Sequence, residues 1–133
     1  MRITSLSEDK SIEKRIAVTP DVAKKYIDLG IELSLPENYG SHIGIQDNVF
    51  KDLGVNIAKD ESELINNSDL FIQLGLLSNE KTSQIKEGQS IIGVLNPYEN
   101  KDKIEKLSKK KVNLFSLELL PRITRAQSMD ILS

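Results

Sequence analysis

Apolar residues fall in short blocks along the chain, and the blocks switch between a period of two and a period near 3.6. Ile3 to Leu6 predicts an opening strand. Thr19-Pro20-Asp21 predicts a helix start: Thr caps free N–H groups, Pro suits the first turn, and Asp faces the positive end of the dipole. Val22, Ala23, Tyr26 and Ile27 then share one face, and Gly30 offers a left-handed stop. Ile31 to Leu35 predicts a second strand, and Pro36 to Gly44 a polar, glycine-punctuated loop. A short helix over Gln46 to Leu53, ended by Gly54, leads into a short strand over Val55 to Ala58. Ser62 to Asn67 predicts a helix, and Leu70 to Leu74 a strand covered on both faces. Ser78 to Ile85 suits a turn or two of helix, Ser90 to Leu95 another buried strand, and Asn100 to Lys109 a helix with Ile104 and Leu107 inward. Val112 to Phe115 is the last strand.

Strands alternating with helices predict an α/β fold of the Rossmann-like or flavodoxin-like kind: a mostly parallel sheet with helices on both faces. Such sheets gather ligands outside the carboxyl ends of their strands. No repeat or interdomain linker interrupts residues 1–133, so one unit is expected. The ending Ile131-Leu132-Ser133 falls inside a predicted helix without a stop signal and reads as a truncation.

Composition narrows this picture. A length of 133 residues suits one hydrophobic core, and 38% hydrophobic with 29% charged residues suits a soluble globular chain. Three Phe, three Tyr and no Trp leave the core to Ile, Leu and Val, as in a sheet covered by helices. A formal charge of −2, with both signs spread along the chain, argues against nucleic-acid binding. The one basic run, Lys109-Lys110-Lys111, follows an amphipathic stretch and reads as a solvated helix C-terminus. Without cysteine there is no disulfide, zinc-thiolate site or thiol nucleophile. No apolar run approaches the roughly 20 residues that cross a bilayer, and no signal peptide precedes the first strand, so the expected compartment is the cytoplasm.

Two segments carry candidate chemistry. In Glu13-Lys14-Arg15-Ile16-Ala17-Val18-Thr19-Pro20, Arg15 stands before a capped helix, where its planar fork suits a carboxylate or phosphate. The plain alternative is a surface pair of Glu13 with Arg15. The second segment, Pro121 to Ser133, follows the last strand and opens a helix. There Gln127, Asp130 and Ser133 share a face at spacings of three, with Met129 and Leu132 pointing elsewhere. Gln127 and Asp130 suit ribose hydroxyls or a carboxamide, supported by Arg122; the alternative is a polar helix face with Arg122 and Arg125 solvated. No Gly-x-Gly-x-x-Gly loop occurs: Gly40 and Gly44 do not fit it. His42, the only histidine, sits in that same loop and reads as incidental, and no carboxylate spacing argues for an acid/base pair or a metal site.

Taken together, the two segments resemble the alanine dehydrogenase/pyridine nucleotide transhydrogenase N-terminal family. Glu13-x-Arg15-x-Ala17-x-Thr19-Pro20 is typical of the whole family, and Pro121 to Ser133 is very similar to the transhydrogenase branch. The resemblance implies that this chain is the first lobe of a two-lobed component, whose Rossmann lobe with its glycine-rich loop is absent here, with NAD(H) in the cleft between the lobes. It implies that Arg122, Gln127, Asp130 and Ser133 line the nicotinamide end of that cleft, with Arg15 and Arg125 as further candidates. It implies hydride transfer to NADP(H) held by a partner component of a proton-translocating transhydrogenase, attached to a membrane domain, with this component dimeric and peripheral to the inner membrane. Direct transfer between nicotinamides needs positioned rings and no acid or base.

The alanine dehydrogenase branch implies a Lys and a His beside the nicotinamide to manage protons. The family's Lys falls where this chain has Gln73, a departure from transhydrogenase relatives that carry Lys there as well, and its His where this chain reads Asn96-Pro97-Tyr98. An NAD-dependent alanine dehydrogenase-like enzyme is therefore the alternative within the family. A non-catalytic α/β binding module, suggested by the missing glycine loop, is the alternative from another class.

Overall fold

A computed structural model describes residues 1–117 of the chain. Six strands form one sheet: β1 (Arg2–Thr4), β2 (Glu32–Pro36), β3 (Asn56–Ala58), β4 (Leu70–Gln73), β5 (Ser90–Gly93) and β6 (Asn113–Ser116). Their order across the sheet is β3-β2-β1-β4-β5-β6, and every pairing among the described residues is parallel. The expected α/β architecture is what the chain adopts.

Helices α1 (Pro20–Asp28), α2 (Asp47–Asp52), α3 (Glu61–Asn67), α4 (Asn79–Thr82) and α5 (Lys101–Lys109) make the crossovers. Adjacent residues of β4 show how the sheet is covered, because side chains alternate between faces. Ile72 packs with α1 and α2 through Val22, Ala23, Tyr26 and Phe50. Phe71 packs on the other side with α3 and α5 through Leu64, Ile65 and Leu107, beside Leu77 and Ile85 that flank α4. The two apolar clusters are the two faces of one sheet.

Local chemistry places the helix ends. Thr19 Oγ1 accepts the Val22 N–H at 3.4 Å, as the Thr-Pro-Asp pattern predicts. Gly30, at φ +83°, ends the turn after α1 in the left-handed region. Strand ends are shorter than the apolar blocks suggest. Leu6 and Leu95 are buried, yet β1 stops at Thr4 and β5 at Gly93.

A buried hydroxyl chain ties β1 to its neighbours. Ser68 Oγ donates to the Leu64 carbonyl at 2.6 Å. Its one proton is then committed, so Thr4 Oγ1, 2.6 Å away, is the donor to Ser68.

Candidate functional site

Strand order reverses between β1 and β4, and the carboxyl ends of these strands lie side by side there. That is the place where open parallel sheets bind ligands. A cleft of about 550 Å³ opens at this point, lined by segments that follow β1, β4, β5 and β6. Its polar wall carries Glu8, Asp9, Glu13, Arg15, Gln73 and Asn96; its apolar wall includes Ile12, Leu76, Val94 and Leu117.

Gln73, 2% exposed, is the floor of the cleft. Its Oε1 accepts the Leu6 N–H at 2.7 Å, and its Nε2 donates to the Leu6 carbonyl at 3.1 Å. The side-chain amide thus stands in for a peptide group beside β1, after the strand ladder has ended. A lysine, with three donors and no acceptor, has nothing to offer the Leu6 N–H. The amide at this position is therefore a structural part of the sheet end. Gly93 lies opposite Gln73 across the β4–β5 ladder, and a Cβ there would stand 2.1 Å from the Gln73 carbonyl oxygen.

Glu8 is the residue that pattern reasoning did not single out. Its Oε2 accepts from Gln73 Nε2 at 2.7 Å and from the Leu74 N–H at 3.0 Å, and its Oε1 accepts from the Gly75 N–H at 3.3 Å. Burial raises its pKa, while these donors, and more weakly Lys81, pull the other way. All its partners are 65 or more residues away, so no local spacing announces it.

Arg15 is on the rim, its side chain 79% exposed. Its Nε and Nη2 donate to the two Glu13 oxygens at 2.8 and 3.0 Å, and its backbone N–H donates to Glu13 Oε1 at 3.0 Å. These bonds hold the Glu13 carboxyl down at about 2. The pair seen as an alternative in the sequence is present, and it stands at the cleft.

The segment carrying this pair is anchored from beneath by Tyr39, which is 1% exposed. Its hydroxyl oxygen accepts the Ala17 and Val18 N–H groups at 3.1 Å each and lies 2.6 Å from Ser5 Oγ. Burial pushes the phenol pKa up to about 12. On the surface above, His42 donates its Nε2 proton to the Lys14 carbonyl at 2.7 Å, which pins the loop and the motif together. Asn96 holds left-handed backbone at φ 47°, a conformation Asn tolerates, and lines the cleft after β5. Arg122, Arg125, Gln127, Asp130 and Ser133 lie outside the described residues.

Among the described residues no cluster of His, Cys, Asp or Glu is arranged to hold a metal ion, and no helix is long and apolar enough to cross a membrane. The cleft is roomy enough for a planar ring and has both apolar and hydrogen-bonding walls. The described residues include no glycine-rich cradle for a pyrophosphate.

Comparison with known proteins adds lineage to this geometry. Residues 5–133 match the family model described as alanine dehydrogenase/PNT, N-terminal domain. The chain is 34% identical over 137 residues to a Rickettsia prowazekii protein named as the first part of NAD(P) transhydrogenase subunit alpha, covering all of this chain and 36% of that protein. The protein of that name from Rhodospirillum rubrum is also 34% identical, over 138 residues, with the same coverage. The chain thus spans little more than a third of the length of these relatives. Among solved structures, a transhydrogenase from Sinorhizobium meliloti superposes with a TM-score of 0.87 at 26% identity, over 98% of this chain and 39% of that one. An L-alanine dehydrogenase superposes with a TM-score of 0.82 at 14% identity, over 89% and 32%, and shares the fold.

Proposed function

Because the chain belongs to the alanine dehydrogenase/PNT N-terminal domain family, we propose that it is the first lobe of the NAD(H)-side component of a proton-translocating transhydrogenase. The observation that carries this reading is the 34% identity, over the entire chain, to proteins named as the first part of NAD(P) transhydrogenase subunit alpha. The cleft supports it. The described part of its wall presents Asn96 where the resemblance places the dehydrogenases' His, which suits a reaction that needs orientation and no proton transfer, while Gln73 departs from the Lys of both branches.

In this reading the nicotinamide supplies the hydride chemistry. The chain's own residues hold and orient it: Arg122, Gln127, Asp130 and Ser133 bind the nicotinamide end, with Arg15 and Arg125 as further contacts. Gln73, Glu8 and Tyr39 keep the floor and rim of the cleft rigid. A Rossmann lobe supplies the pyrophosphate cradle, a partner component holds NADP(H), and a membrane component moves protons. The component is a homodimer on the cytoplasmic side of the inner membrane.

The test is an assay of the intact component mixed with its NADP(H)-holding partner. Hydride exchange between NADH and an oxidised NADP analogue is expected, with no turnover of alanine and NAD. Alanine turnover without exchange would assign the chain to the amino-acid dehydrogenase branch. Neither activity, with NADH still bound, would leave a binding module.

A further inference from the structure

Helix α5 and the turn after it concentrate positive charge: six lysines stand against two acidic residues between Lys101 and Lys111. The whole chain has a formal charge of −2, so this excess is local. Lys103, Lys106 and Lys110 are spaced by three and four, which puts them on one side of the helix, with their side chains rooted roughly 5–6 Å apart. All three line a groove of about 340 Å³, together with buried Leu107 and with Asn79, Thr82 and Ser83 of the α4 segment.

The carboxylates nearby serve other lysines. Glu105 reaches Lys109 at 3.9 Å, Glu87 reaches Lys111 at 3.7 Å, and Glu61 reaches Lys81 at 3.1 Å. Among the described residues no acidic side chain lines the groove, and Glu80 and Asp102 of the same two helices stand outside its lining. Lys110 is fixed in place. Its Nζ donates to the Ser83 carbonyl at 3.0 Å and to those of Thr82 and Ile85 at 3.4 Å each, a cation closing the C-terminal end of α4. Lys103, Lys106 and the Asn79 side chain have no hydrogen bond or ion pair among the described residues. Thr82 and Ser83 commit their hydroxyl protons to the Asn79 and Glu80 carbonyls. The donors open to a ligand are thus two ammonium groups and one amide, beside a third, fixed positive charge. These like charges repel one another, and an anion between them relieves the repulsion.

We propose that this groove binds the phosphate groups of a small soluble anion, with Lys103 and Lys106 in contact, Lys110 as a fixed charge and Asn79 as a directional donor. Ammonium groups are point charges that suit phosphate oxygens. The concave shape and the volume fit a small molecule, at the lower end of the range for such sites. The spacing of the amines lets two linked phosphates meet both open ammonium groups, whereas one phosphate meets them less well. The groove shares no lining residue with the cleft, so this site goes beyond the hydride-transfer reading and stands apart from it.

Titration of the intact protein with pyrophosphate, at constant ionic strength and against chloride, tests it. The readouts are the Asn79 side-chain amide and the Lys103 and Lys106 backbone amides by NMR, and the thermal midpoint. The native protein should show saturable shifts and a midpoint that rises with pyrophosphate, and orthophosphate should bind more weakly. The double variant Lys103→Gln with Lys106→Gln should bind pyrophosphate at least about tenfold more weakly. Without pyrophosphate it should be no less stable than the native protein, because only repulsion has been removed. Lys109→Gln, outside the groove, should bind as the native protein does. Shifts that do not saturate overturn the proposal, and so does unchanged binding by the double variant or an equal loss in Lys109→Gln. A double variant clearly less stable than the native protein makes these lysines structural and also overturns it. Phosphatidylglycerol vesicles test the other source of phosphate: capture of the native protein by vesicles, with no response to soluble pyrophosphate, overturns a site for a small anion. No arm involves NAD, so failure of the hydride-transfer assay leaves this outcome intact.

Discussion

Single residues decide how firmly the cleft is built. Tyr39 satisfies two buried N–H groups, at Ala17 and Val18, from a position 21 residues or more along the chain. Tyr39→Phe leaves both donors buried and unpaired, at a cost of about 1–3 kcal/mol each where water cannot enter. Urea unfolding should show a loss in that range or above. The phenol also predicts a pH dependence. Its pKa is near 10 in the unfolded chain and about 12 in the folded one, so its contribution is complete below pH 10 and is lost as pH rises from 10 through 12. Tyr39→Phe should flatten that part of the stability-against-pH curve. Gly93 is a second such position. A Cβ placed 2.1 Å from the Gln73 carbonyl oxygen forces β4 and β5 apart, and Gly93→Ala should cost about 3 kcal/mol or more by thermal or urea unfolding. The pairing of Glu13 with Arg15 was legible in the sequence because the two residues are neighbours on one segment. Glu8 was not, because its partners are near only after the strands have assembled.

At the scale of elements, the helix starts and stops were readable because they are written in adjacent residues. Thr19-Pro20-Asp21 caps α1 as its chemistry requires, and Gly30 ends the turn with positive φ. Thr19→Ala should therefore cost about 1 kcal/mol in a urea titration, while Thr19→Ser should cost much less. Strands end earlier than their apolar blocks, for a reason visible at Leu6. Burial continues past Thr4 and keeps the apolar pattern going, but the Leu6 N–H and carbonyl are taken by the Gln73 side chain and not by a strand. Apolar periodicity reports burial, whereas a strand is defined by who holds its peptide groups. Leu95 extends the β5 block beyond Gly93 in the same way.

At the scale of the whole molecule, function in the proposed reading depends on how one ring is presented to another. Gln127→Ala in the intact component should slow hydride transfer more than it weakens NADH binding, because transfer depends on ring placement while affinity is spread over the dinucleotide. Stopped-flow transfer rates beside NADH titration would show this split, and an unchanged transfer rate would remove Gln127 from the site. The alternation of periods and the caps set the α/β class, because each is a local property of the chain. The family was legible in two short segments, Glu13 to Pro20 and Pro121 to Ser133. Only the tertiary structure decided that the strands take the order β3-β2-β1-β4-β5-β6. That order puts the ends of β1 and β4 side by side and brings the Glu8 carboxylate onto the N–H groups of Leu74 and Gly75. Strand order is settled by contacts between residues far apart in sequence, and no period along the chain records which distant neighbour a peptide group will meet.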